Sequence, residues 1–266
     1  MFKRFFDERN LSLIRELVIT DFKLRYQGSV FGYLWSLAKP MMLFGVLYVV
    51  FVHFLRFGDA IPHYPTYLLL GIVLWTYFVE STVAGMHSIV DRGELIRKVS
   101  LPKYVIVLST PLSALINLLL NLVVVGVFMA FNQVEVTGSM LLLPLVILEL
   151  FILCLAASFL FSALFVKFRD IAHIWEVILQ VLFYATPIIY PISFIPQEFI
   201  RKLLLLNPLA QIIQDARYLV ITREAQTAWQ ILPPWAALIP YLSVAVLVAL
   251  TSLYFRRNSK YFAENI

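Results

Sequence analysis

Apolar runs of nearly twenty residues recur along this chain, most with no more than one or two charges. A run of that length is what an α-helix needs to cross roughly 30 Å of hydrocarbon. Six can be read, at about 30–55, 66–90, 105–131, 140–166, 174–190 and 236–255, the fifth being short. Of the 266 residues, 61% are hydrophobic and only 14% charged, where a soluble domain has about a quarter charged. One soluble core could not bury so much apolar surface. The fold class that follows is an all-α polytopic membrane protein with six transmembrane helices.

The basic residues say which way the spans run. The arm before the first span carries Lys3, Arg4, Arg9, Arg15, Lys23 and Arg25. Arg92, Arg97, Lys98 and Lys103 follow the second span, Lys167 and Arg169 the fourth, and Arg256, Arg257 and Lys260 the last. Six spans put all four segments on one side, which the positive-inside rule makes the cytoplasm. The chain is therefore expected in the cytoplasmic (inner) membrane with both termini cytoplasmic. The net charge of +5 reflects these loops and not nucleic-acid binding. Arg15 and Glu16 interrupt what a cleaved signal peptide would keep apolar.

Two segments are not ordinary loops. In residues 11–27, Leu11, Ile14, Val18 and Phe22 share a stripe opposite Glu16, Thr20, Lys23 and Gln27. That is an amphipathic helix suited to the membrane interface. Residues 191–235 hold helix-like apolar pieces broken at Asn207-Pro208, each too short to span. They are expected to be re-entrant helices between spans five and six, since broken backbone is tolerated at membrane depth when protein or water surrounds it. The organisation is one transmembrane domain over 1–266: interface helix at 1–28, spans one to five at 29–190, outer segment at 191–235, and span six with its tail at 236–266.

Catalytic chemistry is missing. No phosphate-binding loop of the G-x-x-x-x-G-K-[ST] type occurs, nor a G-x-S-x-G elbow, nor a His/Cys/Asp/Glu cluster with metal-ligand spacing. The single Cys154 lies inside an apolar run and cannot form a disulfide within the chain. The chain is expected to bind no metal or cofactor and to be no enzyme on its own. Glu80, Glu149 and Glu176 are the acidic residues inside spans, where an ionisable group is expensive and points to function. Glu80 leaves open a self-contained secondary transporter. A membrane transferase acting on lipid-linked sugar is the other alternative.

The soluble stretch "DRGELIRKVSLPKY", 91–104, has the makings of a docking helix. Asp91 can cap it, with Glu94 where a capping box places its acid. Leu95 and Ile96 form an apolar tip, and Arg97 and Lys98 a basic flank. This stretch resembles the ATPase-coupling loop in the membrane subunit of ABC exporters of polysaccharides and polyol phosphates. "FKLRYQGSVFGYLWSLAKP" is similar to that family's approach to its first span, and "KFRDIAHIWEVILQVLFYATPIIYP" with "NPLAQIIQDAR" to two of its later stretches. The resemblance covers nearly the whole chain in order, with Glu149 a departure from the pattern.

It implies a homodimer of six-helix subunits in the lipid bilayer, with a separate ATP-binding subunit that holds ATP and Mg. It implies a lipid-linked glycan as cargo, of the undecaprenyl-pyrophosphate type, as in O-antigen, capsule or teichoic acid export. Beside the first span, Arg25 and Lys39 could pair phosphates while Tyr33 and Trp35 form either an aromatic belt or the gate where cargo enters. Gly28 and Gly32 ease the turn into the span, and Pro40 can break its register. Aromatic rings stack on pyranose faces and close an empty pore. Trp75, Tyr77, Tyr184 and Tyr190 are accordingly the channel-lining candidates.

Overall fold

The computed structural model describes residues 8–26, 32–56, 61–98, 101–259 and 262. Among them there are helices and no strands. The elements are α1 Glu8–Tyr26, α2 Leu34–Phe54, α3 Tyr64–Asp91, α4 Gly93–Lys98, α5 Lys103–Phe131, α6 Leu143–Lys167, α7 Ile171–Ala185, α8 Glu198–Leu205, α9 Pro208–Val220, α10 Ala228–Ile231, α11 Pro234–Ala237 and α12 Ile239–Asn258. Among the described residues, five stretches are long and apolar enough to cross a membrane: Leu34–Phe54, Tyr64–Asp91, Lys103–Phe131, Gly138–Lys167 and Pro234–Asn258. The fifth run read from the sequence is helical only over Ile171–Ala185, 15 residues. The residue before a proline is disfavoured in the α conformation, and α7 stops one residue short of Thr186-Pro187.

α3 is the central post. Its window of highest hydropathy is 72% buried, against 11% for α2 and 28% for α5. α7 runs antiparallel beside it: Trp175 Nε1 donates to Thr82 Oγ1 at 3.2 Å, Phe183 packs on Trp75, and past the helix end Tyr64 Oη donates to the Ile189 carbonyl at 2.5 Å. A second apolar cluster joins Ile89, Ile96, Ile106, Val107, Ala163, Val166, Phe255 and Phe262. It gathers the end of α3, the start of α5 and the ends of α6 and α12. The basic residues flanking these helix ends therefore share one end of the bundle, called here the basic end.

α1 leans along the basic half of α5. Asn10 Nδ2 donates to Tyr104 Oη at 3.0 Å, and Asp21 pairs with Arg92. The packed face thus runs through Asn10, Leu17 and Asp21, while Leu11 of the predicted stripe stays 47% exposed. Gly32 has φ +47°, a left-handed turn into α2 that glycine adopts without steric cost. Gly28 lies outside the described residues. Tyr33 then folds back to stack on Phe22 of α1, rings 4.8 Å apart.

Two prolines sit inside long helices, and each frees the carbonyl four residues earlier. Pro40 frees the Ser36 carbonyl, which accepts from Asn121 Nδ2 of α5 at 3.1 Å. Pro111 frees the Val107 carbonyl, which accepts from the Thr110 hydroxyl at 2.9 Å. Both helices therefore continue past their prolines without an orphaned backbone acceptor at these positions.

The break read at Asn207-Pro208 is present. α8 ends at Leu205, and Asn207 caps α9 by accepting from the Leu209 N–H at 3.0 Å. α8 is largely exposed, with Phe199 at 75% and Leu203 at 55%, whereas α9 buries nine of its 13 residues against α3, α6 and α12.

Candidate functional site

A cavity of about 530 Å³ opens between α2, α3 and α5. α2 contributes Trp35, Ser36, Lys39 and Pro40, α3 contributes Thr76, Tyr77 and Glu80, and α5 contributes Asn117 and Asn121. At 1.5 Å per residue, Glu80 stands about 16 Å from the basic end of α3 and about 24 Å from the other. The cavity is therefore near mid-depth. Asn117 Nδ2 donates to Glu80 Oε1 at 2.8 Å, and Asn121 Nδ2 donates to the Ser36 and Asn117 carbonyls. A cation, a carboxylate, two amides and an indole thus line one space inside an apolar bundle. Such groups can bind a polar guest by hydrogen bonds and stack a ring on Trp35.

Trp35, Lys39, Pro40, Tyr77 and Glu80, all noted in the sequence, meet here. Tyr77 is only 2% exposed and donates to the Pro111 carbonyl at 3.3 Å. Tyr33 stands off on α1, and the Arg25 side chain lies outside the described residues. The other aromatic candidates are elsewhere. Trp75 is buried between Phe78 and Phe183. Tyr184 is 67% exposed, and Tyr190 donates to its carbonyl at 3.0 Å. Asn117 and Asn121 were not picked out from the sequence, because an apolar window averages them away; their spacing with Thr110 and Ser113 was the signal.

The docking loop is built differently from its sequence reading in two respects. Asp91 is the last residue of α3 and does not cap the short helix, which begins at Gly93. Leu95 is exposed at 37%, but Ile96 is 8% exposed and packs into the cluster at the basic end. Glu94, Arg97 and Lys98 are exposed, and the Glu94–Lys98 pair at 3.4 Å is a solvated surface contact of small energetic weight.

Of the remaining acids, Glu149 faces Gln211 and Asp215 of α9. Asp215 Oδ2 accepts from Gln211 at 2.5 Å and from Tyr241 at 3.0 Å. Glu176 is exposed, with no ion pair among the described residues.

Arg217, in the outer segment expected to re-enter the membrane, is fully buried. Its guanidinium donates to the carbonyls of Tyr67 (3.1 Å), Pro187 (2.6 Å) and Ile188 (2.5 Å) and to Gln214 Oε1 (3.2 Å), over the Tyr67 ring at 3.7 Å. Gly71 makes room, since a Cβ there would collide with the guanidinium. Arg217 therefore pins the turn after α7 to α3 through α9, joining two of the sequence stretches noted above.

The bundle, its polar mid-depth cavity and its exposed basic-end helix define a polytopic helical membrane protein with a polar interior. The chain belongs to the ABC-2 type transporters, whose family pattern matches residues 12–221. It is 33% identical to the O-antigen export system permease protein RfbA of Myxococcus xanthus over 256 residues, 96% of this chain and 95% of that protein. An O-antigen export system permease protein RfbA from Klebsiella pneumoniae is 31% identical over 79% of this chain and 82% of its own length. The polysialic acid transport protein KpsM of Escherichia coli is 23% identical over 78% of this chain and 81% of its own.

Proposed function

We propose that this chain is the membrane subunit of an ATP-driven exporter that moves lipid-linked polysaccharide, O-antigen-like or a related envelope glycan, across the cytoplasmic membrane. A separate ATPase subunit supplies the energy. The observation that carries the reading is the near full-length similarity to a permease named for O-antigen export.

Three features support the details. The sequence has no phosphate-binding loop, so ATP and its Mg are handled by the partner. Leu95, exposed on α4 at the basic end, is the side chain that enters the ATPase, while Ile96 holds α4 to the bundle. α7 follows α3 from Thr82 to Tyr64 and counts as the fifth of six crossings. The buried α9 then re-enters, and both termini are cytoplasmic. A long glycan cannot be enclosed in a small pocket, so two copies of the chain form a continuous path, with Trp35, Lys39 and the exposed Tyr184 beside it. Co-purification with an ATP-binding subunit encoded beside this chain, and glycan analysis of a deletion strain, test the reading. A stable complex and lipid-linked glycan retained inside the cell are expected. Normal surface glycan in the deletion strain overturns it.

A further inference from the structure

Thr110, Ser113, Asn117 and Asn121 follow one another on α5 at steps of three, four and four residues. At 100° per residue these lie within about 80° of one another. From Thr110 to the end of α5 no other side chain is polar. α3 faces this stripe with Glu80 against Asn117 and with Ala84, Ser88 and Asp91 toward the basic end. A second cavity, of about 420 Å³, lies there, lined by Ala84, Ser88 and Asp91 of α3, Thr110 and Ser113 of α5, Asp21 and Leu24 of α1, and Arg92, which pairs with Asp21. Glu80 and Ala84 are one helical turn apart, so the two cavities are neighbours along one polar seam from the basic end to mid-depth.

Three oxygens on the seam have no hydrogen-bond partner among the described residues: Ser113 Oγ, Asn117 Oδ1 and Asn121 Oδ1. Their residues are 1%, 4% and 4% exposed, and unsatisfied oxygens in such places are costly. The amide orientations are fixed by their neighbours. Turning Asn121 over would aim its oxygen at the Ser36 and Asn117 carbonyls, and turning Asn117 over would aim its oxygen at the Glu80 carboxylate. The seam is therefore rich in acceptors that want donors. Glu80 and Asp91 offer further acceptors to hydroxyls, with Lys39 in the upper cavity and the Asp21-paired Arg92 in the lower one beside them. Ligand hydroxyls match this chemistry.

We propose that the α3/α5 seam is a carbohydrate-binding groove within a single subunit, taking sugar hydroxyls of the cargo next to its lipid diphosphate. It rests on the polysaccharide-export reading above. α1 borders its lower end through Asp21 and Leu24.

The test is equilibrium binding to the full-length chain in lipid nanodiscs. The probes are a short-chain polyprenyl diphosphate bearing one N-acetylhexosamine and the same diphosphate without sugar. Ser113→Ala removes an oxygen that holds nothing in the fold, and Ala84→Leu narrows the groove without removing a polar group. The wild type is expected to bind the sugar-bearing lipid more tightly. Ser113→Ala should weaken that preference by about tenfold, the effect of one hydrogen bond, and Ala84→Leu should abolish it. Both should keep or raise the unfolding midpoint. Three results overturn the proposal: variants that keep the sugar preference, variants that lose it only together with thermal stability, and a wild type that binds both lipids equally. If the wild type shows no sugar preference while the deletion strain still retains glycan, the groove fails and the export function stands. If the deletion strain exports normally, the export reading itself has failed.

Discussion

Replacing Arg217 by Met removes the donor group that holds α3, α9 and the turn after α7 together. The carbonyls of Tyr67, Pro187 and Ile188 lose their guanidinium partners. A buried acceptor left without a donor costs about 1–3 kcal/mol. Against this stands the relief of no longer burying a cation with no carboxylate paired to it among the described residues. With three acceptors orphaned at once, the net cost is expected to be about 3–5 kcal/mol, a fall in unfolding midpoint of roughly 6–10 °C at this size. The single Cys154, fully buried, reports the transition, because a thiol-reactive dye labels it only as the bundle opens. The clamp also predicts non-additivity. Gly71→Ala drives a Cβ into the guanidinium, so it should be strongly destabilising alone and much less so in Arg217→Met, where a flexible side chain can give way. Equal cost of Gly71→Ala in both backgrounds, or a midpoint unchanged in Arg217→Met, would refute the clamp.

Other substitutions separate function from packing. Leu95→Asp should release or uncouple the ATPase with the unfolding midpoint unchanged, because Leu95 is exposed. Ile96→Ala should instead cost about 2–4 kcal/mol in the same dye assay, because Ile96 is part of the basic-end cluster. Trp75→Ala should lower stability by about 3–5 kcal/mol, whereas Tyr184→Ala, at an exposed site, should leave stability intact and slow export of glycan in cells. In a Cys154→Ala background, Cys at exposed Lys98 should be shielded from an impermeant thiol reagent in intact cells, while Cys at exposed Glu135 or Glu224 should be labelled; the reverse pattern removes the six-crossing topology.

Helix positions were largely legible because lipid imposes a length and an apolarity that the chain displays directly. The runs read at 66–90 and 236–255 became Tyr64–Asp91 and Pro234–Asn258, and the Asn207-Pro208 break fell where proline chemistry placed it. The site was less legible. Trp35 and Lys39 stood out as polar or aromatic residues at the start of a span, and both reached the cavity. Arg217 did not stand out as buried, because its carbonyl partners lie 29 to 150 residues away and nothing local marks them. Asn121 was hidden for a similar reason: its task is to supply the hydrogen bond that Pro40 removes from a different helix. Ile96 and Leu95 are neighbours of one chemical type, and only the fold decides which is buried.

The most direct test of the account is transport itself. Inverted membrane vesicles carrying this chain with an adjacent-gene ATPase are given lipid-linked glycan and then a glycosidase outside. Glycan protected from the enzyme only when ATP is hydrolysed is the predicted result, with protection lost in Leu95→Asp. Protection without ATP, driven by a proton gradient and abolished by Glu80→Gln, would contradict it.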